Sequence, residues 1–254
     1  MEHTKPVNLT GRLDQLRVER TCRRHGIELT ADQLQLLNGY VSLLLSWNRK
    51  VNLVSRLDVD NIWLSHILHS LSPLFLIEIP AACKVLDLGS GGGLPGIPLS
   101  IVRPDLQFTH VDSIKKKTAA LTDIVRTLGL HNEVINCRAE DLSRCKGSSN
   151  RFDLVVARAV APLDDLVKWS RPLLPKQRDS SGIRRSSNKQ DHDKYTITPP
   201  ALIAMKGGNL GDEIRKARIK TGVKAITELD LVFDGSEELG FEDKKIVIVH
   251  LNSS

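Results

Sequence analysis

Aromatic residues are scarce in this sequence, and long apolar runs are missing from it. Trp, Tyr and Phe together make up 4% of the 254 residues. The tryptophans Trp47, Trp63 and Trp169 are too dispersed to form a platform on which bases stack, so we expect each to pack in a core. No segment approaches the roughly 18 apolar residues of a membrane span, and the first residues lack an apolar secretory segment. These absences predict a soluble, cytoplasmic protein that uses no membrane.

Cysteine is also sparse, and its spacing argues against a metal site. The four cysteines are Cys22, Cys83, Cys137 and Cys145. They form no C-x-x-C pair and have no histidine pair nearby at metal spacing. His66 and His69 lie three residues apart in a predicted helix, but metal binding needs a further ligand. We therefore expect reduced structural thiols, a packed histidine pair and no bound metal.

Positive charge exceeds negative charge, with 36 Lys and Arg against 30 Asp and Glu and a formal net charge of +6. This balance permits a polyanionic partner without requiring one. Part of the excess lies in residues 176–194, KQRDSSGIRRSSNKQDHDK. The polar composition and absent apolar periodicity predict a basic, flexible surface insertion over residues 176–198. Two interpretations stay open, a solvated insertion without a role and an arm that touches RNA.

The first 80 residues are predicted to be helical. Residues 30–33 form a capping box, in which the Thr hydroxyl and the Gln side chain satisfy each other's backbone donors. Apolar residues then recur at helical spacing over 34–47, and a further helix is predicted over 59–71. We expect residues 1–80 to form a small helical cap.

From residue 81 to residue 254, short strands and helices alternate. The predicted strands are 85–88, 107–112, 133–137, 152–158 and 201–207, and the predicted helices are 96–102, 116–128, 163–174 and 210–220. Strands that are apolar on both faces and separated by helices predict a parallel, doubly wound α/β sheet covered on both sides. Two later strands joined by a short, turn-rich linker predict an antiparallel hairpin at the sheet edge.

Glycines crowd the loop after the first of these strands, in VLDLGSGGGLPG. They are Gly89, Gly91, Gly92 and Gly93. In a doubly wound sheet, ligands bind beyond the carboxyl ends of the strands, where the strand order reverses, and this loop lies at that point. Glycines allow the backbone to approach a ligand without a Cβ in between. The loop therefore predicts a ligand site.

Two cofactors compete for this loop. Gly91 to Gly96 satisfies G-x-G-x-x-G, and Asp112 follows about 20 residues on, as in a nicotinamide fingerprint. Asp87, however, lies inside the strand, and a carboxylate beside the loop disfavours the pyrophosphate of a dinucleotide. S-Adenosylmethionine carries a sulfonium and an ammonium, which suit an acidic site. We expect S-adenosylmethionine, with a nicotinamide-dependent oxidoreductase as the less favoured alternative.

The ends of the second and third strands supply further candidates. Asp112 is positioned either to accept both ribose hydroxyls of the cofactor or to cap the helix that opens at Ser113. Ala139, Glu140 and Asp141 follow the third strand, where the adenine edge would lie. The two acids are also compatible with ordinary loop charges.

Basic residues mark the same edge of the predicted sheet. Arg158 ends the fourth strand, where a guanidinium can bind the cofactor carboxylate, a phosphate or a guanine edge. An ion pair of Arg158 with Asp164 or Asp165 is the alternative. Lys206 ends the fifth strand, and we predict that it contacts RNA. Lys116 lies in a run of three lysines. This run either binds RNA phosphates or forms a solvent-exposed face.

The order of these motifs resembles the bacterial small-subunit ribosomal RNA guanine-N7 methyltransferase family, also called glucose-inhibited division protein B. The matching motifs are SWNRKVNLVS, HILHS, VLDLGSGGGLPGIPLSIVRPDLQFTHVDS, RAED, FDLVVARAVAPL and LIAMKG, over residues 43–251. The resemblance implies a class I methyltransferase domain over 81–254 behind the helical cap. It also implies that Gly89, Leu94, Ala139, Glu140 and Arg158 contact S-adenosylmethionine.

The resemblance further implies methyl transfer to N7 of a guanine in 16S ribosomal RNA, either free or within a ribonucleoprotein. Guanine N7 is a bare lone pair that loses no proton, so we predict no catalytic acid or base. Residues 157–160 accordingly lack the N/D-P-P-aromatic tetrapeptide that orients exocyclic amines. The chain departs from the family pattern at His69, where an aspartate is usual. A class I methyltransferase with another RNA or a small-molecule acceptor stays open as an alternative.

Overall fold

The computed structural model describes residues 9–144, 151–175, 184–185, 194–233, 236–237 and 239–251. Its α-helices are α1 (Leu9–Arg24), α2 (Ala31–Asn48), α3 (His69–Leu71), α4 (Pro73–Leu76), α5 (Gly96–Val102), α6 (Lys115–Thr127), α7 (Ala139–Leu142), α8 (Leu163–Ser170) and α9 (Gly211–Thr221). Two 3₁₀ turns cover Arg56–Asp58 and Arg171–Leu173. The segment Trp63–Leu68 is a π-helix that continues into α3.

The main sheet has seven strands, β1 (Lys84–Leu88), β2 (Gln107–Asp112), β3 (Glu133–Asn136), β4 (Leu154–Arg158), β5 (Ala201–Gly207), β6 (Ile226–Asp230) and β7 (Lys244–His250). Their order is β3-β2-β1-β4-β5-β7-β6. The first five strands are parallel, and β7 is antiparallel to both of its neighbours. The doubly wound α/β sheet and the antiparallel hairpin predicted from the sequence are confirmed. Because β7 lies between β5 and β6, the edge strand is β6.

A second, small sheet includes two short strands from within the predicted insertion. Its two-residue strands are Ile77–Glu78, Tyr195–Thr196 and Arg184–Arg185. Tyr195–Thr196 pairs in parallel with Ile77–Glu78 and antiparallel with Arg184–Arg185. Most of 176–198 lies outside the described residues, so the flexible insertion stays a prediction.

The predicted helix over 59–71 is irregular in the structure. Within this range, the π-helix Trp63–Leu68 stands in place of regular α-helical turns and continues into α3. The 3₁₀ turn Arg56–Asp58 ends just before the range begins. The Ser70 hydroxyl donates to the His66 carbonyl at 2.7 Å, and the Ser72 hydroxyl donates to the His69 carbonyl at 2.8 Å. Such bonds from serine compete with the regular helical pattern, which apolar periodicity alone does not reveal.

The N-terminal helices share one apolar core with one face of the sheet. This core joins Leu37, Tyr40, Ile67 and Leu71 of the helical segment to Val85, Leu99 and Phe108 of the sheet layer. The opposite face packs on α8 and α9 through a second cluster that includes Leu86, Val155, Leu166, Leu202 and Ala217. Because the helical cap has no core separate from the sheet, its boundary at residue 80 stays a prediction.

Helix α2 is bonded directly to the layer beneath it. The predicted capping box of Thr30 and Gln33 is confirmed. The Gln33 amide also donates to the carbonyls of Ile101 and Val102 at 3.1 and 3.2 Å, which satisfies acceptors at the end of α5. About two turns further on, the Tyr40 hydroxyl donates to the buried Gly92 carbonyl at 2.9 Å. The cap therefore holds both the glycine-rich loop and the helix that follows it.

We predict that Tyr40→Phe lowers the free energy of unfolding by about 1–3 kcal/mol, because the Gly92 carbonyl then stays buried without a partner. Ser42→Ala is the matched control. It removes a hydroxyl that donates to Asn38 on the exposed side of the same helix, and should change the free energy by less than about 0.5 kcal/mol. Urea denaturation measures both values. Equal effects of the two substitutions would show that the Tyr40 bond does not anchor the loop.

Candidate functional site

A cavity of about 320 Å³ opens at the carboxyl ends of β1 to β4. Its wall includes Gly89 after β1, Asp112 at the end of β2, Ala139 and Glu140 after β3, and Val160 after β4. The strand order reverses between β1 and β4, and ligands of doubly wound sheets bind at such a point. The structure thus brings Gly89, Asp112, Ala139 and Glu140 together, as the sequence predicted.

Three further residues of this wall were missed or misassigned in the sequence analysis. Trp169 was expected in a core, but it is half-buried and lines the cavity. Lys117 lines the cavity, whereas Lys116 is exposed to solvent. Lys117 lies four residues before the buried Leu121, and this spacing could have assigned it to the inner face of α6. Cys137, which follows β3, also lines the cavity.

Asp112 organises two segments of the cavity wall. One carboxylate oxygen accepts from the Gly91 N–H at 3.0 Å, and the other accepts from the Ile114 N–H at 2.8 Å. Ile114 directly precedes α6, and no side-chain hydrogen bond caps that helix, so the alternative interpretation of Asp112 as a helix cap is not confirmed; Asp112 holds the turn before the helix. Each oxygen keeps a second lone pair. A contact between Asp112 and ribose hydroxyls stays a prediction that is compatible with this geometry.

Gly91 has the most open position in the glycine-rich loop. Its φ is +55°, and a Cβ built on it would meet nothing within 4 Å. The positive φ disfavours any other residue, because a side chain is strained in this conformation. Since its N–H donates to Asp112, Gly91 lies beside the cavity although it is not part of the wall. Gly93 and Leu94 also lie outside the wall, so the predicted cofactor contacts of these three residues stay predictions.

Asp87 lies behind the glycine-rich loop and not in the wall of the cavity, and its predicted cofactor contact stays a prediction. It is fully buried, and one carboxylate oxygen lies 2.9 Å from His110 Nδ1 and 3.2 Å from the Gly96 N–H. His110 Nε2 lies 2.8 Å from the Asn132 amide nitrogen, which also donates to Ser100. Because the amide nitrogen only donates, Nε2 accepts and the Nδ1 proton is donated to Asp87. Asp87 therefore positions the loop.

The bond from Gly96 bears on the choice between the two cofactors. Gly96 is the first residue of α5, and its N–H belongs to the donors that a helix N-terminus offers to a pyrophosphate. Here that donor is bound to a buried carboxylate. A Cβ on Gly96 would lie 2.5 Å from the same oxygen, so helix and carboxylate are in direct contact. A dinucleotide would meet negative charge where it needs donors, which disfavours the nicotinamide alternative.

Arg158 extends from the end of β4 toward the helical cap and not into the cavity wall. Its Nη2 lies 2.8 Å from His66 Nδ1, and its Nη1 is buried without a hydrogen-bond partner among the described residues. The alternative ion pair with Asp164 or Asp165 is not formed, since Asp164 is bonded to Lys168 and lies 3.1 Å from Lys220. The cofactor contact of Arg158 stays a prediction.

Two neutral histidines surround this guanidinium. Burial, and then the charge of Arg158, lowers the pKa of His66 to about 4, so that Nδ1 accepts from the guanidinium. The same two causes hold the pKa of His69 well below its usual range. His69 packs edge-on against Phe241, with ring centres 5.5 Å apart. At position 69, where an aspartate is usual in the family, this chain therefore has an uncharged imidazole.

Lys206 is committed to partners within the protein. Its ammonium donates to the Ala161 carbonyl and to the Glu213 carboxylate, both at 2.7 Å. The same carboxylate oxygen accepts from the Leu163 N–H at 2.7 Å. Lys206 therefore ties the loop after β4 to α9. Because these bonds occupy the ammonium, they do not favour the RNA contact of Lys206, which stays a prediction.

Other expectations concern features that the described part of the chain does not contain. Over these residues, no three His, Cys, Asp or Glu side chains are grouped as metal ligands. None of the helices described above is long and apolar enough to cross a membrane.

Burial raises the pKa of Cys22 to about 12 and that of Cys83 to about 11, which favours the thiol form.

Five parallel strands, an antiparallel seventh strand inserted before the sixth, and a glycine loop at the switch point define a class I S-adenosylmethionine-dependent methyltransferase fold. The sequence pattern of the rRNA small subunit methyltransferase G family matches residues 33–196. The chain therefore belongs to this family, and the resemblance deduced from the motifs is confirmed.

Individual relatives agree with this assignment. The ribosomal RNA small subunit methyltransferase G of Bacteroides fragilis is 37% identical over 224 residues, which cover 87% of this chain and 95% of the relative. The protein of the same name from Chlorobaculum tepidum is 39% identical over 236 residues, covering 91% and 95%. Among solved structures, the CurJ carbon methyltransferase aligns with a TM-score of 0.49 at 13% identity, covering 94% of this chain and 71% of that one. The strand order, and not this alignment, defines the fold.

The lowered pKa of His66 predicts a loss of stability in mild acid. The unfolded chain takes up a proton near the usual pKa of about 6.5, whereas folded His66 does so only near pH 4, so stability falls as the pH falls between these values. Between pH 7 and pH 5 this residue alone should cost about 2 kcal/mol in the free energy of unfolding.

His66→Asn should remove this share of the pH dependence, because the amide oxygen accepts from Arg158 and does not titrate. His131→Asn, at an exposed position, is the control and should leave the pH dependence unchanged. Urea denaturation at pH 5 and pH 7 measures the difference. An identical pH dependence of the wild type and His66→Asn would contradict the assignment of a neutral, buried His66.

Proposed function

We propose that the protein transfers the methyl group of S-adenosylmethionine to N7 of a guanine in 16S ribosomal RNA of the small subunit, in the cytoplasm. The observation that carries this proposal is the cavity at the switch point of the sheet, in a chain of the rRNA small subunit methyltransferase G family. When bound, S-adenosylmethionine supplies a methyl group activated by a cationic sulfonium.

The charges around the cavity support S-adenosylmethionine. Its wall carries the carboxylates of Asp112 and Glu140 and the basic side chains of Lys117 and Arg138. Arg138 lies 3.7 Å from Glu140, so part of this positive charge is neutralised within the wall. Asp112 would bind the ribose hydroxyls, Ala139 and Glu140 the adenine edge, and the ring of Trp169 would pack on the nucleoside.

The residues of the site suit an acceptor that loses no proton. Methyl transfer is an in-line displacement, for which the protein has to hold acceptor and donor in line. Guanine N7 attacks with its lone pair, so no general base is required. Among the wall residues, Asp112 already binds two backbone N–H groups, and its role is one of positioning. Arg158 would bind the cofactor carboxylate or the guanine only if its guanidinium turned from His66 toward the cavity, and its Nη1 has no hydrogen-bond partner among the described residues.

The RNA itself has to present the base. In an A-form helix, N7 faces a deep, narrow groove that side chains do not enter. The substrate should therefore be a guanine in a loop, a junction or an incompletely folded region of the small subunit. A partly assembled ribonucleoprotein fits this requirement as well as free RNA.

Substitution of Gly91 tests the cofactor site. Gly91→Ala should weaken binding of S-adenosylmethionine by about tenfold or more, because the new Cβ meets only open space beside the cavity, where the cofactor would lie. Gly129→Ala is the matched control, since Gly129 has a φ of +65° and equally open surroundings two residues past the end of α6. Both variants carry the same backbone strain of about 1–2 kcal/mol. Calorimetry should show weaker binding for Gly91→Ala alone, and equal affinities would place the cofactor elsewhere.

The transfer itself is tested with small subunits from cells that lack this enzyme. Incubation with labelled S-adenosylmethionine, followed by nucleoside analysis, should give N7-methylguanosine as the labelled product. Label in another nucleoside would support a class I methyltransferase with a different acceptor. Binding of NAD and not of S-adenosylmethionine in calorimetry would support the oxidoreductase alternative.

A further inference from the structure

A polar, basic hollow lies on the cap, immediately after α2. Its lining residues are Asn48, Arg49, Lys50, Asn52, Ser55 and Arg56. No acid lines it. We call these six residues the basic hollow. Leu57 follows them directly in the chain, and its side chain is 89% exposed, the highest value among the exposed large apolar residues of the described chain.

Hydrogen bonds give the basic hollow a defined shape. The Asn48 side-chain oxygen accepts from the N–H groups of Leu53 and Val54 at 2.8 and 3.0 Å, which turns the chain back at the end of α2. The Ser55 hydroxyl then accepts from the Leu57 N–H at 3.2 Å and begins the 3₁₀ turn. Val54 is buried between these two turns. The exposed cations and Leu57 are thus held on an ordered segment.

The positive charge of the basic hollow is not neutralised within the described residues. Arg49, Lys50 and Arg56 are exposed, and none of them forms an ion pair with a described acid. Lys50 lies over the ring of Trp47, with its ammonium 5.3 Å from the ring centre. Asp58, the nearest acid along the chain, is directed at His66 instead, at 3.5 Å.

Many other exposed arginines of the described chain have an acidic partner. Arg126 pairs with Asp123, Arg144 with Asp141 and Arg215 with Asp212. The basic hollow differs from these surfaces, because three cations and several amide or hydroxyl groups face solvent together. Phosphate oxygens bind to this combination of side chains in nucleic-acid complexes.

The basic hollow is connected to the candidate site by direct contacts. Asp58 of the 3₁₀ turn lies 3.5 Å from His66, which contacts Arg158 at the end of β4. The residue pair after Arg158, 159–160, lines the cavity. On the other side, a Cβ on Gly92 would lie 3.2 Å from Leu53 Cβ, so this segment also packs on the glycine-rich loop. RNA bound in the hollow would therefore lie next to the cavity.

We propose that the basic hollow and Leu57 form the RNA docking surface for methyl transfer, an inference that rests on the proposed function. Arg49, Lys50 and Arg56 bind phosphates on either side of the target. Leu57 inserts beside the target guanine and keeps it unstacked, as apolar side chains do at kinked base steps. This insertion meets the requirement that N7 be removed from the deep groove of a helix.

The test compares two pairs of full-length variants. The triple variant Arg49→Ala, Lys50→Ala, Arg56→Ala is matched by the triple variant Arg215→Ala, Arg218→Ala, Lys224→Ala, at exposed positions on and after α9. Leu57→Ser is matched by Ile219→Ser, since Ile219 is 78% exposed on α9. Exposed positions are chosen so that each variant folds, and calorimetry with S-adenosylmethionine should give wild-type affinity for all four.

We expect the hollow variant to raise KM for small subunits by about tenfold or more and to lower the salt dependence of RNA binding by about one ion per removed phosphate contact. Leu57→Ser should lower kcat and leave the salt dependence unchanged. Both α9 variants should behave as the wild type. An unchanged KM and salt dependence in the hollow variant would overturn the docking surface, and an unchanged kcat in Leu57→Ser would overturn the insertion.

Two further outcomes separate this inference from its alternatives. If the hollow variant keeps its affinity for protein-free small-subunit RNA but loses it for the particle, the hollow binds a ribosomal protein and the proposal is wrong. If the wild type methylates no guanine either in this RNA or in the particle, the proposed function fails. The salt dependence of RNA binding by the hollow variant then still decides whether the surface binds RNA.

Discussion

The conformation of the glycine-rich loop depends on the hydrogen bonds of the buried Asp87 carboxylate. This carboxylate joins β1 to the first N–H of α5 and to His110 of β2, so a strand, a loop and a helix meet at one oxygen. The second oxygen is buried without a hydrogen-bond partner among the described residues. Because leaving a charge unpaired in this position is costly, the loop is restricted to paths that keep the Gly96 N–H in place. The cavity beyond the loop takes its shape from this restriction.

The helical cap also holds the glycine-rich loop in place. Tyr40 binds the Gly92 carbonyl, and burial raises the pKa of its phenol, which keeps the hydroxyl a donor. Leu44 lies so close to Gly92 that a Cβ there would come within 2.7 Å of it. The loop is therefore held from below by Asp87 and from above by α2. The candidate cofactor site and the segment of the basic hollow thus both border on a single short stretch of backbone.

The sequence predicts much of the sheet, because the strands are short apolar runs bounded by turns and acids. The glycine loop and Asp112 were predictable for the same reason, since both follow directly from a strand end. The position of Asp87 was not, because alternation shows which residues share a face but not which face opens to the cavity. The contact between His66 and Arg158 joins residues 92 positions apart, which no local pattern reveals. Trp169 lies in the cavity wall because α8 packs against α7, which carries Ala139 and Glu140 of the same wall.

The insertion of β7 between β5 and β6 sets an order on the assembly of the sheet. As the chain is synthesised, β6 appears before the strand that is its sole neighbour in the sheet. Until β7 has emerged, the free edge of β5 exposes unpaired backbone groups, and β6 has nothing to join. In a nascent chain stalled before residue 244, the sheet would therefore lack both β6 and β7. The unpaired edge of β5 would then be open to other chains around the ribosome.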